Sequence, residues 1–125
     1  MAASSTAPGA LSPKLHEGKY CIGSFAEAQL MGLAGYLQHI VCIMREEEGI
    51  SVVFSDAAKD QLKLYTEKKI EGPFALISFQ AGTSLYAVGI LAKITETLAR
   101  EKIPCNAFSA YHLSLIHISE PTRPY

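Results

Sequence analysis

Apolar residues fall in short runs along the chain, separated by polar or glycine-containing breaks, and the spacing inside each run predicts its local structure. Residues 19–25, Lys-Tyr-Cys-Ile-Gly-Ser-Phe, carry aromatic and β-branched side chains between Gly18 and a polar break, which predicts a strand. Residues 26–33 are rich in helix formers and supply one or two helical turns. From Tyr36 to Arg45 the apolar density rises again, and Ile40, Val41, Ile43 and Met44 predict a largely buried strand. After a turn over 46–49, the run Ile50-Ser51-Val52-Val53-Phe54 predicts its hairpin partner, with Gly49 supplying the positive φ of the corner. Ser55 or Asp56 caps a short helix over 57–62. Residues 64–70 read both ways, because Tyr65 and Thr66 favour a strand while Glu67-Lys68-Lys69 favours a solvated edge or loop.

The second half repeats the theme. Gly72-Pro73 punctuates, and residues 74–79 form the clearest strand in the chain. The polar turn Gln80-Ala81-Gly82-Thr83-Ser84 leads into a helix predicted over 85–102. Ile90, Ile94 and Leu98 share one face of it, with Ala87 and Leu91 beside them; Lys93, Glu96, Thr97, Arg100 and Glu101 take the other. Pro104 stops the helix, and residues 105–112 suit a strand. Strand, helix, strand thus recurs over 19–70 and again from 74. With one hairpin, that order predicts an α+β, ferredoxin-like sandwich with helices on one face of a mainly antiparallel sheet.

Composition narrows the function. The 125 residues are 49% apolar and 18% charged, enough to build a core, and the net charge is −1 without a Lys/Arg run. A nucleic-acid partner is therefore not expected. The one charge cluster, Arg45-Glu46-Glu47-Glu48, reads as a solvated hairpin tip. Cys21, Cys42 and Cys105 are odd in number, far apart and set in apolar runs, so reduced thiols and a cytoplasmic location are expected. No apolar stretch is long enough to span a bilayer, and no membrane association is expected. Residues 1–14, rich in Ala, Ser, Thr, Pro and Gly, read as a flexible arm without a secretory or transit signal.

Residues 113–123, Leu-Ser-Leu-Ile-His-Ile-Ser-Glu-Pro-Thr-Arg, resemble the translation of a transposon-type sequencing-library adapter, position for position. Residues 113–125 are accordingly set aside as a non-native tail, and His117 carries no functional weight.

Without that tail, residues 72–112 resemble an ACT domain: the strand 74–79, the turn Gly82-Thr83-Ser84, the helix start Leu85-Tyr86-Ala87-Val88-Gly89-Ile90-Leu91, and the stretch from Leu98 to Tyr111-His112. Residues 15–70 more weakly resemble the preceding half of small uncharacterised proteins that carry such a domain, through Gly18-Lys19-Tyr20 and Glu47-Glu48-Gly49. These proteins resemble the tandem ACT modules of amino-acid sensors and aspartate kinases. The resemblance implies an N-terminal ACT-like half over 15–70 and a C-terminal ACT domain over 71–112. That domain is incomplete, because family members continue past the Tyr-His pair into a further strand and a closing helix. It also implies a regulatory module that binds an amino acid or similar small molecule, and a homodimer formed through a sheet edge or through helices.

ACT modules bind ligands where the first strand turns into its helix. Unpaired amides at a helix start, with the positive end of the helix dipole, independently favour a carboxylate there. The candidate ligand-binding residues are Gly82, Thr83, Ser84, Leu85, Val88 and Gly89 at the corner, with Asn106 and Ser109 across the sheet. Each also has a plainer role open to it: Gly82 as a turn, Thr83 or Ser84 as a cap, Gly89 in helix–sheet packing, Asn106 and Ser109 on local backbone or water. Tyr111 and His112 read as structural or exposed.

An enzyme is not expected. The sequence has no Gly-x-Ser-x-Gly elbow, phosphate loop or His-Glu-x-x-His pair, and His39 and Cys42, three apart in a strand, would point to opposite faces. His16, His39 and His112 are scattered, so neither a metal nor a cofactor is expected. An assembly module without a ligand, or a Cys/Ser hydrolase assembled from distant residues, are the alternatives.

Overall fold

A computed structural model describes residues 13–79, 90–109 and 114–119. The chain divides into two compact units, one over Gly18–Phe74 and one made of Met1–Glu17 with Ala75–Tyr125.

The Gly18–Phe74 unit is a complete strand–helix–strand–strand–helix–strand fold. Its strands are β2 (Tyr20–Phe25), β3 (Ile40–Glu46), β4 (Gly49–Ser55) and the first part of β5 (Glu71–Phe79). They lie side by side in the order β3-β4-β2-β5, with every pair antiparallel. That order, with the first strand between the third and fourth, is the ferredoxin-like arrangement predicted from the sequence.

Alternation decides which face is buried. In β2, Cys21, Gly23 and Phe25 are buried while Tyr20, Ile22 and Ser24 are half-buried. Cys21, Phe25, Ile50, Val52 and Phe54 form one cluster with Leu33, Ala58 and Leu62 from the helices. Full burial of the larger aliphatic and aromatic members stabilises the packed state by roughly 1.5–3 kcal/mol each, set against the entropy of ordering them.

The helical segments are short and mixed. Residues 27–29 form a 3-10 turn that leads into α1 (Leu30–Leu33), and Ala34–His39 continues in 3-10 turns. The strand expected over 36–45 therefore begins only at Ile40. Tyr36 to His39 are helical because the Tyr36 ring packs edge-on against Tyr65, centroids 6.2 Å apart, a tertiary contact that periodicity cannot register. Across the hairpin, Ser55 is the cap: its Oγ accepts from the Ala57 N–H at 3.2 Å. Asp56 instead donates its N–H to the Lys19 carbonyl and accepts at Oδ1 from the Cys21 thiol. The helical stretch continues through α2 (Lys59–Leu62) to Tyr65, which settles the ambiguous start of residues 64–70 as helical.

In the other unit, β1 (Pro13–Leu15) pairs antiparallel with the end of β5, Pro13 opposite Phe79 and Leu15 opposite Ile77. Pro13 and Lys14, assigned by composition to the arm, are thus strand. Helix α3 (Ile90–Arg100) packs Ile94 and Leu98 against Ala75 and Ile77, as its apolar stripe predicts. It closes on a Schellman turn: Ile103 N–H reaches the Leu98 carbonyl, Lys102 N–H reaches Ala99, and Lys102 takes φ 60°. Strands β6 (Cys105–Ser109) and β7 (Ser114–Ser119) then pair antiparallel. The adapter-like segment, set aside above, is therefore ordered as a strand. Leu115, Ile116 and Ile118 have high β propensity, and β6 offers a template, so this pairing does not bear on the origin of the segment.

Candidate ligand cleft

In the Gly18–Phe74 unit, the end of β2 turns at Ala26 into the first 3-10 turn, the same strand-to-helix corner that the sequence nominates in the second half. Beside it lies an open cleft of about 630 Å³, lined by Ser24, Phe25, Ala26, Gln29, Glu48, Leu64, Tyr65, Thr66, Glu67 and Lys68. Three segments build it: the end of β2, the tip of the β3–β4 hairpin and the loop that follows the second helical stretch.

Specific contacts hold these segments in place. Thr66 Oγ1 donates to the Ser24 carbonyl at 2.6 Å and accepts from the Lys68 N–H at 3.1 Å, which pins the Thr66–Lys68 backbone to β2. The Tyr65 ring is braced by Tyr36 and lies over Gly32, where a β-carbon would come within 2.5 Å of it. The hairpin tip is held by Gly49, which has φ 140° and packs directly on the Phe25 carbonyl.

The lining offers three chemistries at once. Phe25, Leu64 and Tyr65 are apolar or aromatic, and Leu64 is 81% exposed. Lys68 supplies a cation; Glu48 and Glu67 supply anions, all three exposed. A smaller recess of about 320 Å³ next to it is lined by Ser24, Glu46, Glu47 and Glu48. A cleft of the larger size falls within the range that holds small-molecule ligands.

The sequence-predicted site sits elsewhere. Gly82, Thr83, Ser84, Leu85, Val88 and Gly89 lie outside the described residues. Asn106 and Ser109 are on β6, opposite His117 and Ser114. The cleft residues were missed because they come from Ser24 to Lys68, and no local motif links them. The one available signal, Glu67-Lys68-Lys69 after a helical stretch, reads equally as a solvated loop.

Nucleophiles are poorly placed. Cys21 is fully buried, and burial together with its bond to Asp56 pushes its thiol up to about 12. Burial also raises the Cys42 thiol. The His39–Cys42 argument from strand alternation does not apply as stated, since His39 is in a helical turn and only Cys42 is in β3. A His–Ser pair invisible in sequence does exist: His16 Nε2 lies 3.0 Å from Ser78 Oγ, sixty-two positions away. Ser78 is only 5% exposed, so no substrate reaches it. Among the described residues, no group of three or more His, Cys, Asp or Glu is arranged to hold a metal ion, and no helix is long and apolar enough to cross a membrane.

The His16–Ser78 pair predicts a pH effect. Burial, and then the neighbouring Lys14, hold His16 below its ordinary value of 6.5. The unfolded chain therefore binds more protons here, and stability rises with pH. The contribution is full above the unfolded value and is lost as pH falls through the lower folded value. Thermal melts between about pH 8 and pH 5 should show this loss, and His16→Gln should remove it. Superimposable profiles for the two proteins would contradict the assignment.

No family model and no curated protein matches the chain. Two solved structures are similar to it. A protein of unknown function from Vibrio cholerae, described as a possible transport protein, is 25% identical, with a TM-score of 0.69 over 88% of this chain and 79% of that one. The aspartate kinase of Clostridium acetobutylicum, described as an allosteric enzyme, is 14% identical, with a TM-score of 0.59 over 87% of this chain but only 30% of the kinase. At that identity the likeness to the kinase is one of fold, and it agrees with the α+β, ferredoxin-like architecture read from strand order.

Proposed function

We propose that the chain is a regulatory module that binds a small molecule, an amino acid or a close analogue, and has no catalytic activity of its own. The observation that carries this reading is the cleft at the strand-to-helix corner. It combines an apolar floor with charges of both signs, the pattern a zwitterion with an apolar side chain requires. Lys68 would take the carboxylate and Glu48 or Glu67 the ammonium, with Phe25, Leu64 and Tyr65 against the side chain. The likeness in fold to part of an allosteric aspartate kinase supports a regulatory rather than a catalytic role. By the internal repeat, the corner at Gly82, Thr83, Ser84, Leu85, Val88 and Gly89 is a second candidate site.

Thermal-shift titration with the protein amino acids tests this. A binder at a hundred times its Kd stabilises by about 2.7 kcal/mol, a shift of several degrees. Lys68→Ala should weaken binding about tenfold or more, the scale of losing one charge-assisted hydrogen bond. A shift that survives Lys68→Ala and vanishes in Ser84→Ala would move the site to the second corner. No shift with any amino acid at about 10 mM, a concentration that saturates even a Kd near 1 mM, would remove the reading altogether.

A further inference from the structure

We infer that the free edge of β3 pairs antiparallel with the same strand of a second copy of this chain, in the register that sets Cys42 against Cys42. This holds independently of whether the cleft binds a ligand. Among the described residues, β3 ends the strand order and pairs only with β4. Its outer side therefore presents backbone donors and acceptors to any strand that can reach them.

Exposed edges are commonly blunted by a proline, a lysine or an inward-pointing charge. Residues 40–44, Ile-Val-Cys-Ile-Met, contain none of these. Val41 is 36% exposed and Ile43 37%, apolar surface that the unit itself leaves open. The bulge between Ile40 and Cys42 is the one blunting device present. It keeps the regular edge short, so the association is weak and concentration-dependent.

The sequence selects the register. A five-residue apolar tract meets its own reverse in full only when centred on its middle residue. Val41 then stands opposite Ile43 of the second copy, Ile40 opposite Met44, and Cys42 opposite Cys42. Sliding two positions one way sets Arg45 and Glu46 against Val41 and Ile40. Sliding the other way sets His39 and Gln38 against Ile43 and Met44. Arg45 is moreover already held by Glu27 at 2.7 Å, so its charge is engaged within its own unit.

Directly opposed residues of antiparallel strands have Cα atoms about 4.5–5.5 Å apart, inside the span of a disulfide. Mild oxidation of the concentrated full chain with diamide should therefore trap a dimer joined through Cys42, identified by mass spectrometry of the linked peptide. Cys42→Ser should abolish it. Ile43→Lys and, independently, Val41→Lys keep the thiol but bury a lysine in the seam, and each should cut trapping by about tenfold or more. Light scattering should show average mass rising with concentration for the parent and not for the lysine variants, with circular dichroism confirming that these fold. A monomeric mass at every concentration, a link through Cys105, or trapping undiminished in both lysine variants would overturn the inference.

Discussion

Truncating Phe54 to alanine is expected to destabilise the protein by about 3–5 kcal/mol. Phe54 is completely buried in the central strand β4, between Cys21 on one neighbour and Ile40 on the other. Its ring meets Phe25 edge-on with centroids 6.4 Å apart, so removing it forfeits both the buried area and an aromatic pair. The surrounding strands are hydrogen-bonded on both sides of β4 and cannot collapse into the space, which puts the cost at the upper part of that range. Small domains have only about 5–15 kcal/mol in total, so the variant should be largely unfolded at growth temperature. Urea denaturation provides the measurement: the midpoint should fall while the slope stays the same. Leu64→Ala is the comparison, because Leu64 is 81% exposed and its truncation should lie within about 0.5 kcal/mol of the parent. A Phe54→Ala loss no greater than that of Leu64→Ala would mean that this cluster is not the core of the unit.

That same cluster shows why the fold was legible in the sequence. Tyr20–Phe25, Gly49–Ser55 and Glu71–Phe79 carry dense β-branched and aromatic residues at period two, and each is a strand within a residue or a few of its predicted limits. The stripe of Ile94 and Leu98 likewise predicted the buried face of α3. Local pattern and global packing agree at these positions, so either one suffices to find them.

Where the two part, the sequence was silent. Tyr36 to His39 belong to an apolar run that continues into β3, and only Tyr65, far along the chain, makes the first part of that run helical. Pro13 to Leu15 have a composition that suits a loose arm; their strand character comes from the partner Ile77 to Phe79. The His16–Ser78 contact and the cleft share this property. Each is a meeting of residues tens of positions apart, with no spacing rule to announce it. What the resemblance to ACT modules contributed was the kind of place to look, the corner where a first strand enters its helix. The cleft at Ala26 is such a corner, though in the half where the resemblance is weaker.

The hairpin tip connects that corner to stability, and Gly49→Ala is the substitution that tests the link. Gly49 closes the β3–β4 ladder opposite Glu46 with φ 140°, a region that residues with a β-carbon rarely occupy. A β-carbon there would sit 2.4 Å from the Phe25 carbonyl oxygen, which is backbone and cannot rotate away. Conformational strain alone costs about 1–3 kcal/mol, and the clash requires the hairpin tip and the Phe25–Ala26 corner to separate. Because Phe25 and Ala26 form one side of the cleft and Glu48 the other, the variant should lose affinity for a cleft ligand as well as stability. Gly35→Ala is the matched control: nothing lies within 4 Å of its added carbon and its φ is unrestricted, so it should be neutral or slightly stabilising. Denaturation midpoints of the two variants, with ligand titrations on each, separate strain from a general intolerance of the loss of glycine. If Gly49→Ala proved as stable as Gly35→Ala, the hairpin would not pass this close to β2, and the hairpin side of the cleft would be misplaced.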